Sequence, residues 1–184
     1  MKVKNKIILL AGASLLAVNL WSQNICISTP NTSLVLNVQT GGELKYLYYG
    51  SKLSNTDLQN IEQNSNCNHN AYPVYGMNCP GEVALSVRHA DGNMSTHMEI
   101  VNVETDKADN STVTTVRLKD KVYPFYVDVH YKSYSDVDMI ETWTEISHEE
   151  KKPVCLTQFA SAYLPIRRGN VWLSHLYGSW ANEG

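Results

Sequence analysis

Along most of this chain apolar residues alternate with polar ones, the period of two that puts every second side chain on one face of a strand. The clearest run is Phe125-Tyr126-Val127-Asp128-Val129-His130-Tyr131-Lys132, where Phe125, Val127, Val129 and Tyr131 face a core and the polar residues face out. Leu34, Leu36 and Val38 share a face in residues 33–38, Gly41-Gly42 follows as a turn, and residues 43–49 run back to Gly50. This reads as an opening β-hairpin. Further alternating or β-branched and aromatic runs lie at 83–89, 97–103, 112–118, 139–146, 154–163 and 171–177. Turn residues separate them: Asp109-Asn110-Ser111, Ser135-Asp136, and the stretches 149–153 and 167–170. Asp91-Gly92 lies between two alternating runs and predicts a hairpin joining 83–89 to 97–103. Many short strands with regular turns and no long amphipathic helix predict an all-β fold, an antiparallel sandwich.

Two stretches break the pattern. Residues 51–70 are polar and rich in Asn and Gln, with Leu53, Leu58 and Ile61 as their apolar positions. Leu58 and Ile61 are three apart, which allows one helical turn starting at Thr56 or Asp57, and ordered connections of this length are often functional. At the N-terminus, Lys2, Lys4 and Lys6 precede an apolar run from 7 to 20 that is short for a bilayer span. Residues 1–23 therefore read as a signal peptide cleaved near Ser22-Gln23, with an uncleaved anchor as the alternative. The expected location is periplasmic or secreted, and the domain proper is expected to occupy 24–184.

Composition adds three points. The net charge of −3 over 184 residues gives no reason to expect a nucleic-acid partner. Eleven tyrosines and four tryptophans against two phenylalanines suit half-buried sheet faces, and suit stacking on sugars. Export would place Cys26, Cys67, Cys79 and Cys155 where disulfides persist. Three complete pairings are open; Cys67 with Cys79 would close the loop around Tyr72-Pro73, and buried free thiols are the alternative. With no C-x-x-C and scattered histidines, no metal or other cofactor is expected.

The chemistry of catalysis is missing from the pattern. Glu149-Glu150 and Asp136/Asp138 fall in predicted turns and read as solvated surface carboxylates. No G-x-S-x-G, P-loop or dinucleotide fingerprint occurs. His89 and Asp91 flank Ala90 at a strand end and read as turn residues rather than an acid–base dyad. Taken by residues alone, the chain is a binding or structural β-module.

Several motifs point further. Tyr72-Pro73-Val74-Tyr75-Gly76 and Ala84-Leu85-Ser86-Val87-Arg88-His89-Ala90-Asp91-Gly92 resemble the N-terminal β-domain of family 36 glycoside hydrolases, the retaining α-galactosidases and their relatives. Tyr48-Tyr49-Gly50 with Leu53, the strand pair 127–134 and Met139-Ile140-Glu141-Thr142, and Leu176-Tyr177-Gly178-Ser179-Trp180-Ala181-Asn182-Glu183 resemble that family's segments in the same order. The resemblance implies a galactose-mutarotase-like β-supersandwich joined to a (β/α)₈ barrel, in an enzyme cleaving α-D-galactosides of oligosaccharides or galactomannan. It implies an Asp nucleophile and an Asp acid/base on that barrel, outside this chain, so no catalytic residue is expected here. The β-domain itself is expected to be truncated at its C-terminal end, and the whole enzyme to be a homo-oligomer. The resemblance also implies that the loop after the opening hairpin reaches an active site, with Asp57 accepting hydrogen bonds from galactose. Read locally, Asp57 instead caps a short helical turn. The sequence departs from the family at Met77-Asn78-Cys79-Pro80-Gly81, where an Asp-Phe-Arg-like segment is usual. A non-catalytic carbohydrate-binding or assembly module is the alternative function, and an adhesion β-domain the third.

Overall fold

The computed structural model describes residues 23–39, 42–61, 69–77 and 81–165. They form nine strands and one short helix. In chain order these are β1 (Gln23–Ser28), β2 (Thr32–Val38), β3 (Leu44–Ser51), α1 (Asn55–Asn60), β4 (Leu85–Arg88), β5 (Met98–Ala108), β6 (Ser111–Asp120), β7 (Phe125–Tyr134), β8 (Ile140–His148) and β9 (Cys155–Phe159). They make three antiparallel sheets, ordered β1-β2-β3, β4-β9 and β5-β6-β7-β8. The expected all-β class is what the chain adopts.

Alternation explains the core. β7 buries every second residue along its whole length, so Phe125, Val127, Val129 and Tyr131 point inward as the pattern requires. They join Val116 and Leu118 of β6, Met98 and Ile100 of β5, Leu85 and Val87 of β4, and Leu34, Leu36 and Val38 of β2 in one apolar cluster. The predicted opening hairpin is β2–β3, with Val38 opposite Leu44 and Gly42 at φ +82° in the turn. β1 lies outboard of it, paired with β2 from Gln23 to Ser28. No strand was expected so close to the signal-peptide boundary, because a six-residue run beside the apolar leader carries little periodicity of its own. Residues 1–22, where the leader is expected, lie outside the described residues.

The Asp91-Gly92 turn forms but does not make the expected hairpin. Gly92 N donates to His89 O at 2.9 Å and His89 N donates to Asn93 O at 2.8 Å, closing a tight turn with Gly92 at φ +93°. The strands on either side then diverge: β4 pairs with β9, and β5 pairs with β6. Residues 93–97 are held by other partners. Thr96 N donates to Tyr75 O, and His97 N donates to the Asp120 carboxylate at 2.7 Å. The Tyr72–Tyr75 segment is likewise drawn to β4, with Ala84 N donating to Pro73 O and Tyr75 N to Leu85 O. These contacts turn the corner between two sheets. A short-range signal cannot distinguish such a corner from a hairpin, since both need the same turn residues.

Candidate functional site

The loop after the opening hairpin is anchored at three points. Lys52 N donates to Asn31 O at 2.7 Å, Leu53 N to Ser33 Oγ at 3.1 Å, and Asn24 Nδ2 to Leu58 O at 3.4 Å. Between these ties α1 forms where the Leu58/Ile61 spacing predicts a turn. Ser54 is its N-cap, donating and accepting in a reciprocal box with Asp57. Ser54 N and Ser54 Oγ both donate to Asp57 Oδ2, at 2.9 and 2.6 Å, and Asp57 N donates to Ser54 Oγ at 3.2 Å. These hydrogen bonds hold the Asp57 carboxyl below its ordinary range, the Ser54 hydroxyl contributing most. The capping role read from the residues is therefore present. Oδ1 takes no part in the cap, and the side chain stands exposed on the surface.

β2 and residues 44–47 of β3 are buried on both faces. Lys45 is 1% exposed. Its ammonium donates to Glu43 Oε2 at 2.7 Å and to Asn70 Oδ1, while Asn37 Nδ2 donates to Asn24 Oδ1 at 2.8 Å. A buried ammonium is tolerated because an anion and a carbonyl oxygen take its protons. The adjoining cleft, lined by Gly42, Asn70, Tyr72, Met77 and Met98 among others, has room for about one water. It is too small for a sugar.

A second polar cluster gathers three turns. His89 Nδ1 lies 2.8 Å from Glu150 Oε1, Ala90 N donates to Glu150 Oε2 at 2.9 Å, and His89 Nε2 lies 3.3 Å from Thr96 Oγ1. The imidazole stacks on Tyr123 at 3.7 Å and meets Phe125 edge-on. Asp91 turns elsewhere, accepting from Asn93 N and Tyr123 Oη. Those bonds, Asn93 first, hold its carboxyl below the ordinary range. His89 and Asp91 are thus not a dyad, as the sequence suggested. Glu150 corrects a different expectation, since its side chain is 5% exposed rather than solvated. Its partner directly follows β4, sixty-one residues earlier, and no local pattern announces such a pair. Every polar atom of the imidazole is engaged, so the cluster offers a reactant nothing.

Asp138 also works harder than a surface turn residue. Oδ1 accepts from Thr29 Oγ1 at 2.8 Å and Asn31 N at 2.7 Å, and Oδ2 accepts from Asn31 Nδ2 at 2.8 Å. The β7–β8 turn is thereby tied to the β1–β2 turn. Cys26 and Cys155 are exposed free thiols, whereas Cys67 and Cys79 lie outside the described residues, as does the 176–183 motif. Among the described residues no cluster of three or more potential metal ligands occurs, and no helix is long and apolar enough to cross a membrane.

Comparison with known proteins places this architecture. The chain resembles, in fold, the α-galactosidase AgaA of Geobacillus stearothermophilus in a complex with stachyose, at TM-score 0.67 and 13% identity, over 76% of this chain and 24% of that one. It is similarly close to the α-galactosidase of Lactobacillus brevis, at TM-score 0.65 and 15% identity, over 77% and 23%. The galactosidase domain of the α-galactosidase–sucrose kinase AgaSK gives TM-score 0.64 and 17% identity, over 74% and 24%. The chain spans about a quarter of the length of these proteins. A search of curated proteins returns no significant match. The model of the glycosyl hydrolase family 36 N-terminal domain matches residues 42–184. With the match running from the first hairpin turn through every later strand, the chain belongs to the glycosyl hydrolase family 36 N-terminal domain family.

Proposed function

We propose that this chain is the non-catalytic N-terminal domain of an exported, retaining α-galactosidase acting on terminal α-D-galactosides of oligosaccharides or galactomannan. The family match over residues 42–184 carries the reading. The three sheets around one core are, in this reading, part of a β-supersandwich that continues into a (β/α)₈ barrel. Chemistry belongs to that barrel, where a nucleophile and an acid/base carboxyl about 5–5.5 Å apart give double displacement with retention. No carboxyl pair described in this chain has that role.

Asp57 is the residue of this domain proposed to touch substrate. The cap consumes Oδ2 and leaves Oδ1 free to accept from a galactose hydroxyl. Capping and sugar binding are then compatible uses of one carboxylate. Fixing the side chain through Ser54 lowers the entropy lost on binding.

The test is hydrolysis of raffinose and an aryl α-galactoside by the complete gene product, in fractionated cells. Activity is expected outside the cytoplasm. No α-galactosidase activity overturns the enzyme reading, and strictly cytoplasmic activity overturns export. Asp57→Ala is expected to raise KM for raffinose about tenfold, the effect of one lost charge-assisted hydrogen bond. Ser54→Ala breaks the cap but keeps the carboxylate. An equal KM rise in both variants assigns Asp57 to the loop's conformation alone.

A further inference from the structure

The turn between β1 and β2, Thr29-Pro30-Asn31-Thr32, is held from two directions. Within it, Thr29 N donates to Thr32 O and Thr32 N donates to Thr29 Oγ1, both at 3.0 Å. Pro30 sits at the second position, where its fixed φ suits such a turn. From the four-stranded sheet comes the Asp138 carboxylate, whose Oδ1 accepts from Thr29 Oγ1 at 2.8 Å and Asn31 N at 2.7 Å. Its Oδ2 accepts from Asn31 Nδ2 at 2.8 Å. Asp138 stands on a firm support, because Ser135 N of the same β7–β8 turn donates to Asn110 O at 3.0 Å.

From the other direction, Thr29 and Asn31 hold the start of the loop that carries Asp57. Lys52 N donates to Asn31 O at 2.7 Å, and Lys52 Nζ donates to Thr29 O at 3.0 Å. Leu53 N then donates to Ser33 Oγ, and Ser54 follows as the cap that fixes Asp57. The Lys52 ammonium also adds to the contacts, the Asn31 side chain first, that hold the Asp138 carboxyl below its ordinary range. A path of hydrogen bonds and covalent chain therefore runs from Asp138 through Thr29, Asn31 and Lys52 to Asp57. Packing contributes little to the loop's position, since α1 buries no residue and Lys52, Ser54 and Asp57 are exposed. A segment held by polar contacts rather than apolar ones opens at low cost when a contact is removed.

We infer that Asp138 is a positioning residue for Asp57, acting through the β1–β2 turn. The inference rests on the sugar-binding role proposed above for Asp57. A charge-assisted acceptor at Asp138 sets Thr29 and Asn31, these set Lys52, and Lys52 sets where the Ser54–Asp57 cap presents its carboxylate. Leu53 and Leu58 keep their own ties to Ser33 and Asn24, so loss of Asp138 loosens the loop without releasing it.

Hydrogen–deuterium exchange and raffinose kinetics on the full-length protein test this in Asp138→Ala, Asp138→Asn, Asp57→Ala and the Asp57→Ala/Asp138→Ala double variant. In Asp138→Ala, amides of residues 52–58 are expected to exchange about tenfold faster, with β7 amides as the unchanged internal reference. KM for raffinose is expected to rise about threefold with kcat retained, as a loss of binding alone requires. Asp138→Asn keeps an acceptor for Thr29 and for Asn31 N, and is expected to fall between Asp138→Ala and wild type. In the Asp57→Ala background the Asp138 substitution is expected to raise KM no further. Unchanged exchange at 52–58 overturns the inference, and so does a full KM rise in the double variant, which would place the effect elsewhere. Faster exchange without a KM change, where Asp57→Ala alone does raise KM, also overturns it by making Asp138 a purely structural link. An unchanged KM in Asp57→Ala alone overturns the sugar role of Asp57 instead, and the exchange result then decides whether Asp138 holds the loop.

Discussion

Individual side chains here do most of their work by joining turns that are distant in sequence. Glu150 closes on His89 and Ala90, Asp138 on Thr29 and Asn31, and Asp120 on His97, Val122 and Tyr123. A carboxylate accepting two or three such bonds prefers its ionised form. For Asp138, the Asn31 side chain first and then Thr29 hold the carboxyl below its ordinary value. A folded-state value below the unfolded one gives stability that is present above the ordinary Asp range and lost as pH falls through the folded value. Asp138→Asn is therefore expected to lower the melting temperature at pH 7 and to leave a smaller drop between pH 5 and pH 3 than in the wild type. Differential scanning calorimetry at those three values checks it, and identical pH slopes would remove the linkage. The sequence shows Glu150 and Asp138 beside turn residues but not their partners, because these lie 60 to 109 residues away.

At the scale of elements, pairing is decided where strands leave their turns. β5 through β8 form a meander because each short turn brings the next strand straight back, and alternation then sets the buried face. β4 behaves differently. It pairs with β9, across sixty-odd residues, and the Tyr72–Tyr75 segment lies along its other edge. Gly76 makes that approach possible. Its φ of +107° suits glycine, and a Cβ there would lie 2.7 Å from Thr96 N and 2.9 Å from Ser95 Cα, both backbone atoms. Gly76→Ala is expected to cost about 2 kcal/mol or more in urea unfolding, combining backbone strain with the clash. A change below about 0.5 kcal/mol would show that the 72–76 segment relaxes freely. The sequence marks Gly76 as a turn residue; only its proximity to residues 95 and 96 reveals why nothing larger fits.

Taken whole, the molecule is a β-core covered unevenly. Both faces of β2 and of residues 44–47 in β3 are buried, while all five residues of β9 are exposed, with Phe159 at 65%. Cys26 on β1 and Cys155 on β9 both face solvent as free thiols. Alkylation of the native protein without reductant is expected to label these two sites rapidly, as read by peptide mass spectrometry. Recovery of a Cys26–Cys155 disulfide instead would contradict the arrangement.

What the sequence by itself determined is the class of structure and the identity of its inner face. Strict alternation in 125–132 selects a strand and selects which of its residues are buried, since a half-buried strand has only two faces and one period. In 33–38 it selects the strand alone, because Ser33, Val35 and Asn37 are buried together with Leu34, Leu36 and Val38. The motifs around Tyr72, Ala84 and Tyr48 likewise determined the family. Tertiary structure alone decided that β4 joins β9, that Glu150 is buried against His89, and that Asp57 spends one oxygen on a cap while keeping the other free. It also linked Asp138 to the loop of Asp57 through Thr29, Asn31 and Lys52. Such choices depend on contacts between residues far apart in the chain, whose free energy exists only once the sheets have closed on their common core, so no local pattern can encode them singly.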